Sequence, residues 1–225
     1  MIAVLMAGGE GQRLRPLTTE TPKPMLPVGG RPVLDILVRQ LVKAGCEHLY
    51  LNVRYRREQI EAYFGDGSTF GVPISYLVEP EPYGTAGGLT LLPAPDGPFL
   101  VVNADVLAPI DFAAFHAWHV AEQNALSLIG RPYYAVIPYG LPIVRGGYVV
   151  DFQEKAIPTR VNSGIYCLDS DVLGSVRAPS DMPSVIRWAC ARHRVGLYPY
   201  DGPYHEIGTV ESYRNAAAFY EEHMR

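Results

Sequence analysis

Apolar and polar positions alternate along this chain in two rhythms. Ile2 to Met6 is a short continuous apolar run, the pattern of a strand buried on both faces. Between residues 32 and 44, Val33, Leu34, Leu37, Val38, Leu41 and Val42 form a helical stripe, closed by Gly45. Residues 48–53, 74–78 and 99–103 repeat the strand pattern, and residues 57–64 and 85–92 read as helices. Asp111 is placed to cap a further helix running through about Glu122. Strands that alternate with helices imply an α/β fold, with a mainly parallel, Rossmann-like sheet covered by helices on both faces.

The pattern changes after that helix. Residues 125–168 read as strands and turns, with Gly146-Gly147 as a hairpin signal. Two more helical patterns, 183–193 and 210–223, enclose a short strand at 195–200. No internal repeat or linker-like stretch interrupts the chain, so a single domain over 1–225 is expected, with lobes of 1–122 and 123–225.

Composition narrows the function classes. At 48% hydrophobic and 19% charged, the 225 residues can bury a core and are not a disordered polymer. A net charge of -4 argues against general nucleic-acid binding, which leaves a strong basic excess. No apolar stretch approaches the roughly 20 residues needed to span a membrane. Met1 leads straight into a strand pattern without a signal-peptide layout. Cys46, Cys167 and Cys190 suggest neither a disulfide framework nor a zinc ribbon. The expectation is a cytoplasmic, soluble protein without nucleic-acid or membrane partners.

The first strand runs into MAGGEGQRLRPLTTETPKPMLPVGGRP, residues 6–32. Glycines let backbone N–H groups approach an anion, and arginine or lysine neutralises it. The dinucleotide fingerprint fails here, because Gly9-Glu10-Gly11-Gln12-Arg13-Leu14 ends on leucine, and no Gly-Lys-Ser/Thr completes a Walker loop. Arg13, Arg15 and Lys23 are spread over a stretch that Pro16, Pro22, Pro24 and Pro27 keep extended. At the carboxyl edge of an open sheet, such a loop is placed to wrap the phosphates of a ligand.

Ala7-Gly8-Gly9-x-Gly11-x-Arg13-Leu14-Arg15-Pro16-Leu17-Thr18, followed by Pro22-Lys23-Pro24, resembles the signature of the sugar-1-phosphate nucleotidyltransferases, the nucleoside-diphosphate-sugar pyrophosphorylases. Gln12 departs from the Thr or Ser more usual there. Four later stretches resemble the same family in order: Glu79-Pro80-Glu81-Pro82-Tyr83-Gly84-Thr85, Val101-Val102-Asn103-Ala104-Asp105, Glu154-Lys155 with Asn162-Ser163-Gly164, and Tyr204-His205-Glu206-Ile207-Gly208. The last has tyrosine and glutamate where the family pattern has Trp-x-Asp-x-Gly.

The resemblance implies the nucleotide-diphospho-sugar transferase fold, with a smaller antiparallel sugar-binding lobe; the left-handed β-helix tail of some relatives is not expected, because the sequence ends soon after the core pattern. It implies a nucleotide site at Leu5, Ala7, Gly8, Gly9, Gly11, Gln12, Arg13, Lys23, Glu79, Glu81, Gly84 and Thr85. Glu154, Lys155, Asn162 and Gly164 would hold the sugar phosphate, and Asp105 and Glu206 a magnesium ion. The implied substrates are a nucleoside triphosphate and a sugar 1-phosphate. Arg13 would stabilise departing pyrophosphate, Lys23 the charge at the α-phosphate, and Lys155 the approach of the two anions. A carboxylate at Glu79 or Glu81 can accept from both N1–H and the 2-amino group of guanine, which favours GTP and the mannose- and heptose-1-phosphate guanylyltransferases. Uridylyl transfer and a catalytically impaired nucleotide-sugar-binding regulator stay as alternatives, and a homodimer stays open.

Two other patterns compete for attention. His116, His119 and Glu122 share helical spacing, and a solvated helix face is the expectation for them rather than a metal site. Most of the 15 tyrosines are expected in strand packing, with Tyr83, Tyr133, Tyr134 and Tyr139 as candidates for the sugar side.

Overall fold

The computed structural model describes residues 1–135, 139–153 and 157–225. β1 (Ile2–Met6) leads into the glycine- and proline-rich loop, which closes with the short hairpin of β2 (Pro27–Val28) and β3 (Arg31–Pro32). There follow α1 (Val33–Lys43), β4 (His48–Val53), α2 (Arg57–Phe64), β5 (Ile74–Val78), β6 (Phe99–Asn103), β7 (Val106–Leu107) and α3 (Phe112–Ala121). The second half supplies β8 (Leu126–Ala135), β9 (Leu141–Arg145), β10 (Tyr148–Gln153), β11 (Ile157–Leu168) and α4 (Ser170–Leu173). It ends with α5 (Met182–Cys190), β12 (Val195–Pro199), β13 (His205–Glu206) and α6 (Val210–His223).

The central sheet has seven strands in the order β12-β8-β11-β6-β1-β4-β5. Only β11 runs antiparallel to its neighbours, so the expected mainly parallel architecture is present. Both halves of the chain contribute to this one sheet. Leu5, Leu49, Leu51 and Val102 pack on one face against α1 and α2, and Val4, Leu77, Phe99 and Val101 on the other against α5. Burial on both faces is why these strands are mostly apolar, β1 without a break. Asp111 caps α3 as expected, its carboxylate accepting from Ala114 N at 2.8 Å. Gly146-Gly147 turns β9 into β10, both glycines having positive φ.

Two expectations need correction. Residues 85–92 do not form an α-helix; a 3-10 segment occupies Gly87–Leu91, because paired glycines weaken helical propensity and Pro93 ends it. The face of α3 bearing His119 is not solvated either. His119 is buried, with Nδ1 2.8 Å from Ser127 Oγ and Nε2 3.2 Å from Asp169 Oδ1, so it ties α3 to the sheet. Burial pushes its pKa down, against the opposing pull of Asp169, which favours the neutral ring. Glu122 pairs with Arg194 at the surface. Among the described residues no helix is long and apolar enough to cross a membrane.

Candidate active site

Four parallel strands, β6, β1, β4 and β5, end along one edge of the sheet, and the residues just beyond them line a cleft of 310 Å³. From β1 come Ala7, Gly8 and Gly9; from β4, Asn52 and Arg54; from β5, Glu79; from β6, Asn103, Ala104 and Asp105. Lys23 closes one side, and Gly84 and Thr85 another. This carboxyl edge is where open α/β sheets bind ligands.

The loop is held over the cleft by its own apolar residues. Leu14 and Leu26 are buried with Leu107 and Ile207, in a cluster that α6 covers with Ala216. Each such leucine contributes about 1.5–3 kcal/mol by leaving water. Gly11 adopts φ +62, and a Cβ there would come within 3.0 Å of both Lys23 Cβ and Thr18 Cγ2. Its glycine is therefore required for the loop to fold on itself. Thr18 Oγ1 donates to Gly11 O at 2.8 Å, and Tyr55 OH donates to Thr18 O at 2.9 Å. The Gln12 side chain donates to Glu10 rather than facing the cleft. Leu5 lies fully buried in the core, so it supports the cleft floor without touching a ligand by its side chain.

This anchoring brings the charged residues together. Lys23 Nζ forms an ion pair with Asp105 Oδ2. β13 pairs antiparallel with β7, setting Glu206 opposite Val106, and Ile207 N donates to Asp105 O at 2.9 Å. A Cβ on Gly208 would stand 3.4 Å from Glu206 Oε1 and 3.8 Å from an Arg13 terminal nitrogen, so Arg13 reaches the same corner. Tyr204 lies nearby; burial foremost, then the Glu206 and Asp105 charges, push its phenol pKa up. Its hydroxyl donates to Ser163 O at 2.7 Å, and Arg131 lies over its ring at 4.6 Å.

Asp105 Oδ1 is buried and has no hydrogen-bond partner among the described residues. An orphaned carboxylate oxygen, with a second carboxylate on the strand paired alongside, suits magnesium, which takes one or two protein carboxylates and fills its remaining positions with phosphate and water. The residues present therefore fit the ion that the sequence implies.

On the other side of the cleft the two candidate glutamates part. Glu79 is 6% exposed and lines the cleft, with Oε2 accepting from Tyr83 N at 3.3 Å; Glu81 lies exposed outside it. A Cβ on Gly88 would collide with the Asn52 amide and stand 2.6 Å from Glu79 Oε1, so glycine there gives both side chains their room. Gly84 has φ +80 and presses on Ser180 O, while Thr85 Oγ1 accepts from Met182 N at 2.9 Å. The cleft wall is thereby fastened to the start of α5.

Asn162 and Gly164 sit where the β11 register breaks, and Asn162 Oδ1 accepts from Gly164 N at 3.0 Å. A Cβ on Gly164 would strike the Asn103 amide, linking this bulge to the strand that carries Asp105. Glu154 and Lys155 lie outside the described residues. Tyr133, Tyr134 and Tyr139 are exposed near the β9–β10 hairpin. Asn52, Arg54 and Asn103 line the cleft although sequence reasoning did not single them out. Their only signal was position, at or just past the end of an apolar run.

Comparison with known proteins agrees with this fold. The family model described as nucleotidyl transferase matches residues 2–223. The chain is 34% identical to a mannose-1-phosphate guanylyltransferase of Mycobacterium tuberculosis, covering 96% of this chain and 63% of that protein. It is 36% identical to an N-acetylmuramate alpha-1-phosphate uridylyltransferase of Neisseria meningitidis, covering 97% of both. It thus spans less than two thirds of the Mycobacterium relative and nearly all of the Neisseria one. HddC from Yersinia pseudotuberculosis, solved with GMP-PN, superposes with a TM-score of 0.72 at 22% identity over 96% of this chain and 98% of that one. By the extent of these matches, the chain belongs to the nucleotidyl transferase family.

Proposed function

We propose that this chain transfers a nucleoside monophosphate from a triphosphate to a sugar 1-phosphate, releasing pyrophosphate, with GTP as the favoured donor. The observation that carries this reading is the meeting of the glycine loop, the Lys23–Asp105 pair and the buried Glu79 carboxylate in one cleft. The sugar phosphate oxygen is already anionic, so its attack on the α-phosphorus needs no general base. The protein's part is positioning and charge neutralisation. Lys23, paired with Asp105, is proposed to meet the charge at the α-phosphate, and Arg13, near the Glu206 corner, to stabilise the departing pyrophosphate. Asp105 and Glu206 would hold magnesium, which would supply further positive charge to the site when bound. Glu154, Lys155, Asn162 and Gly164 are proposed to hold the sugar phosphate. Both substrates are phosphorylated metabolites of the cytoplasm, where the chain is proposed to act.

Glu79 rather than Glu81 is the proposed base reader, since it alone of the two lines the cleft. Accepting from N1–H and the 2-amino group of guanine satisfies its carboxylate, whereas uracil offers one donor. UTP is the second reading, favoured by the full-length similarity to the Neisseria uridylyltransferase. The test is pyrophosphate release with GTP, UTP, ATP and CTP, crossed with a panel of sugar 1-phosphates. GTP should exceed UTP in kcat/KM by at least about tenfold, and Glu79→Gln should shrink that ratio while Glu81→Gln leaves it. Preference for UTP would overturn the guanine assignment, and no pyrophosphate release from any pair would overturn the reaction.

A further inference from the structure

Arg54 has no role in the reaction as described, yet its place in the fold is specific. β4 and β5 are parallel neighbours with Val53 opposite Val78, so Arg54 and Glu79 are the next residues on two adjacent strand ends. Glu79 N donates to Val53 O at 3.0 Å, which extends the pairing by one step. Arg54 follows Asn52 by two, and both line the cleft, as strand alternation requires. A Cβ on Gly8 would stand 3.5 Å from Glu79 Oε2 and 3.6 Å from Arg54 Cβ, so the Glu79 side chain ends, and that of Arg54 begins, beside the same glycine.

A carboxylate and a guanidinium carried on neighbouring strand ends could pair with each other. Among the described residues they do not. Glu79 accepts from Tyr83 N, and Arg54 donates through a single terminal nitrogen to Glu10 Oε1 at 3.2 Å. Glu10 is itself supported by Gln12 at 3.0 Å and, more loosely, by Arg15 at 3.9 Å. Arg54 therefore keeps most of its five N–H donors for something that enters the cleft.

An acceptor for a ring N–H and a donor for a carbonyl, side by side, match one kind of nucleobase edge. Guanine presents N1–H beside O6, and uracil presents N3–H beside O4. Adenine and cytosine present the reverse, a bare ring nitrogen beside an amino group. With those bases, Glu79 would face a lone pair and Arg54 an amino donor, leaving two cleft groups unsatisfied.

We propose that Arg54 is a specificity-determining residue that donates to the base carbonyl next to the N–H read by Glu79, so that the pair selects keto bases and rejects amino bases. The inference rests on the reading that the base lies against Glu79, but it holds whether guanine or uracil is preferred. Glu10 holds the guanidinium at the mouth of the cleft until the base arrives.

Thio-substituted substrates isolate the carbonyl, because 6-thio-GTP and 4-thio-UTP keep the ring N–H but replace oxygen by a poor acceptor. With the preferred triphosphate, the oxygen-to-sulfur change should lower wild-type kcat/KM by about tenfold. In Arg54→Ala this penalty should fall to within about twofold, while in Glu79→Gln and Glu10→Gln it should remain. Persistence of the penalty in Arg54→Ala would overturn the proposal by assigning it to sulfur's size. Equal weakening of GTP, UTP, ATP and CTP by Arg54→Ala would overturn it in favour of a phosphate contact. Matching behaviour of Arg54→Ala and Glu10→Gln would overturn it in favour of a loop tether. Should no triphosphate turn over, the reaction assignment fails separately, and the same oxygen-to-sulfur ratios read from nucleotide dissociation constants still decide the role of Arg54.

Discussion

The cleft and the β9–β10 hairpin are built on opposite terms. Around the cleft nearly every polar side chain is tied to something: Lys23 to Asp105, Glu79 to the Tyr83 amide, Asn52 to Leu77 O, Thr85 to the Met182 amide. The hairpin strands pair only with one another among the described strands, and Tyr148, Val149, Val150 and Phe152 stand in solvent. A lone two-stranded hairpin is marginally stable in water. The contrast shows that the cleft is shaped by the core itself, because its residues are the last ones of buried strands. The hairpin lacks that support from the sheet.

Three substitutions probe this contrast, from the largest effect to the smallest. Asp105→Asn keeps the size of the side chain but removes the charge that faces Lys23 and the proposed ion. Turnover should fall by about 10³-fold with the circular dichroism spectrum unchanged, and normal turnover would mean that the metal site lies elsewhere. Gly88→Ala forces a methyl into the Asn52 and Glu79 side chains. Overpacking of this kind costs about 1–3 kcal/mol, readable by urea denaturation, and it should also blur base choice by displacing Glu79. A fully stable variant with intact base choice would show that the cleft wall yields easily. Tyr148→Ser, on the exposed hairpin, should change stability by no more than about 0.5 kcal/mol. A loss of several times that amount would show the hairpin packed in solution, and the contrast would dissolve.

Much of this arrangement was legible in the sequence because burial on both faces leaves a plain mark. The strands ending at Met6, Val53, Val78 and Asn103 are short and mostly apolar, the first without a break, and the glycine loop follows that first one. The pairing of the Asp105 segment with the Glu206 segment depends on β7 and β13, each two residues long and too short for any periodicity. Arg54 was hidden for a different reason. It falls between the strand read at 48–53 and the helix read from 57, in the run Arg54-Tyr55-Arg56-Arg57, where no pattern marks it, although strand alternation turns it into the cleft. His119 misled in the opposite direction: its partners Ser127 and Asp169 lie on other elements, and spacing along α3 says nothing of them.

The central claim is that the nucleotide side is complete before the sugar phosphate arrives. Calorimetric titration with GTP and magnesium, in the absence of any sugar 1-phosphate, tests it most directly. Saturable binding at one site per chain is expected, weakened at least about tenfold by Lys23→Ala and left unchanged by Tyr148→Ser. Absence of nucleotide binding until a sugar 1-phosphate is added would contradict the account, because the hairpin side would then have to complete the cleft.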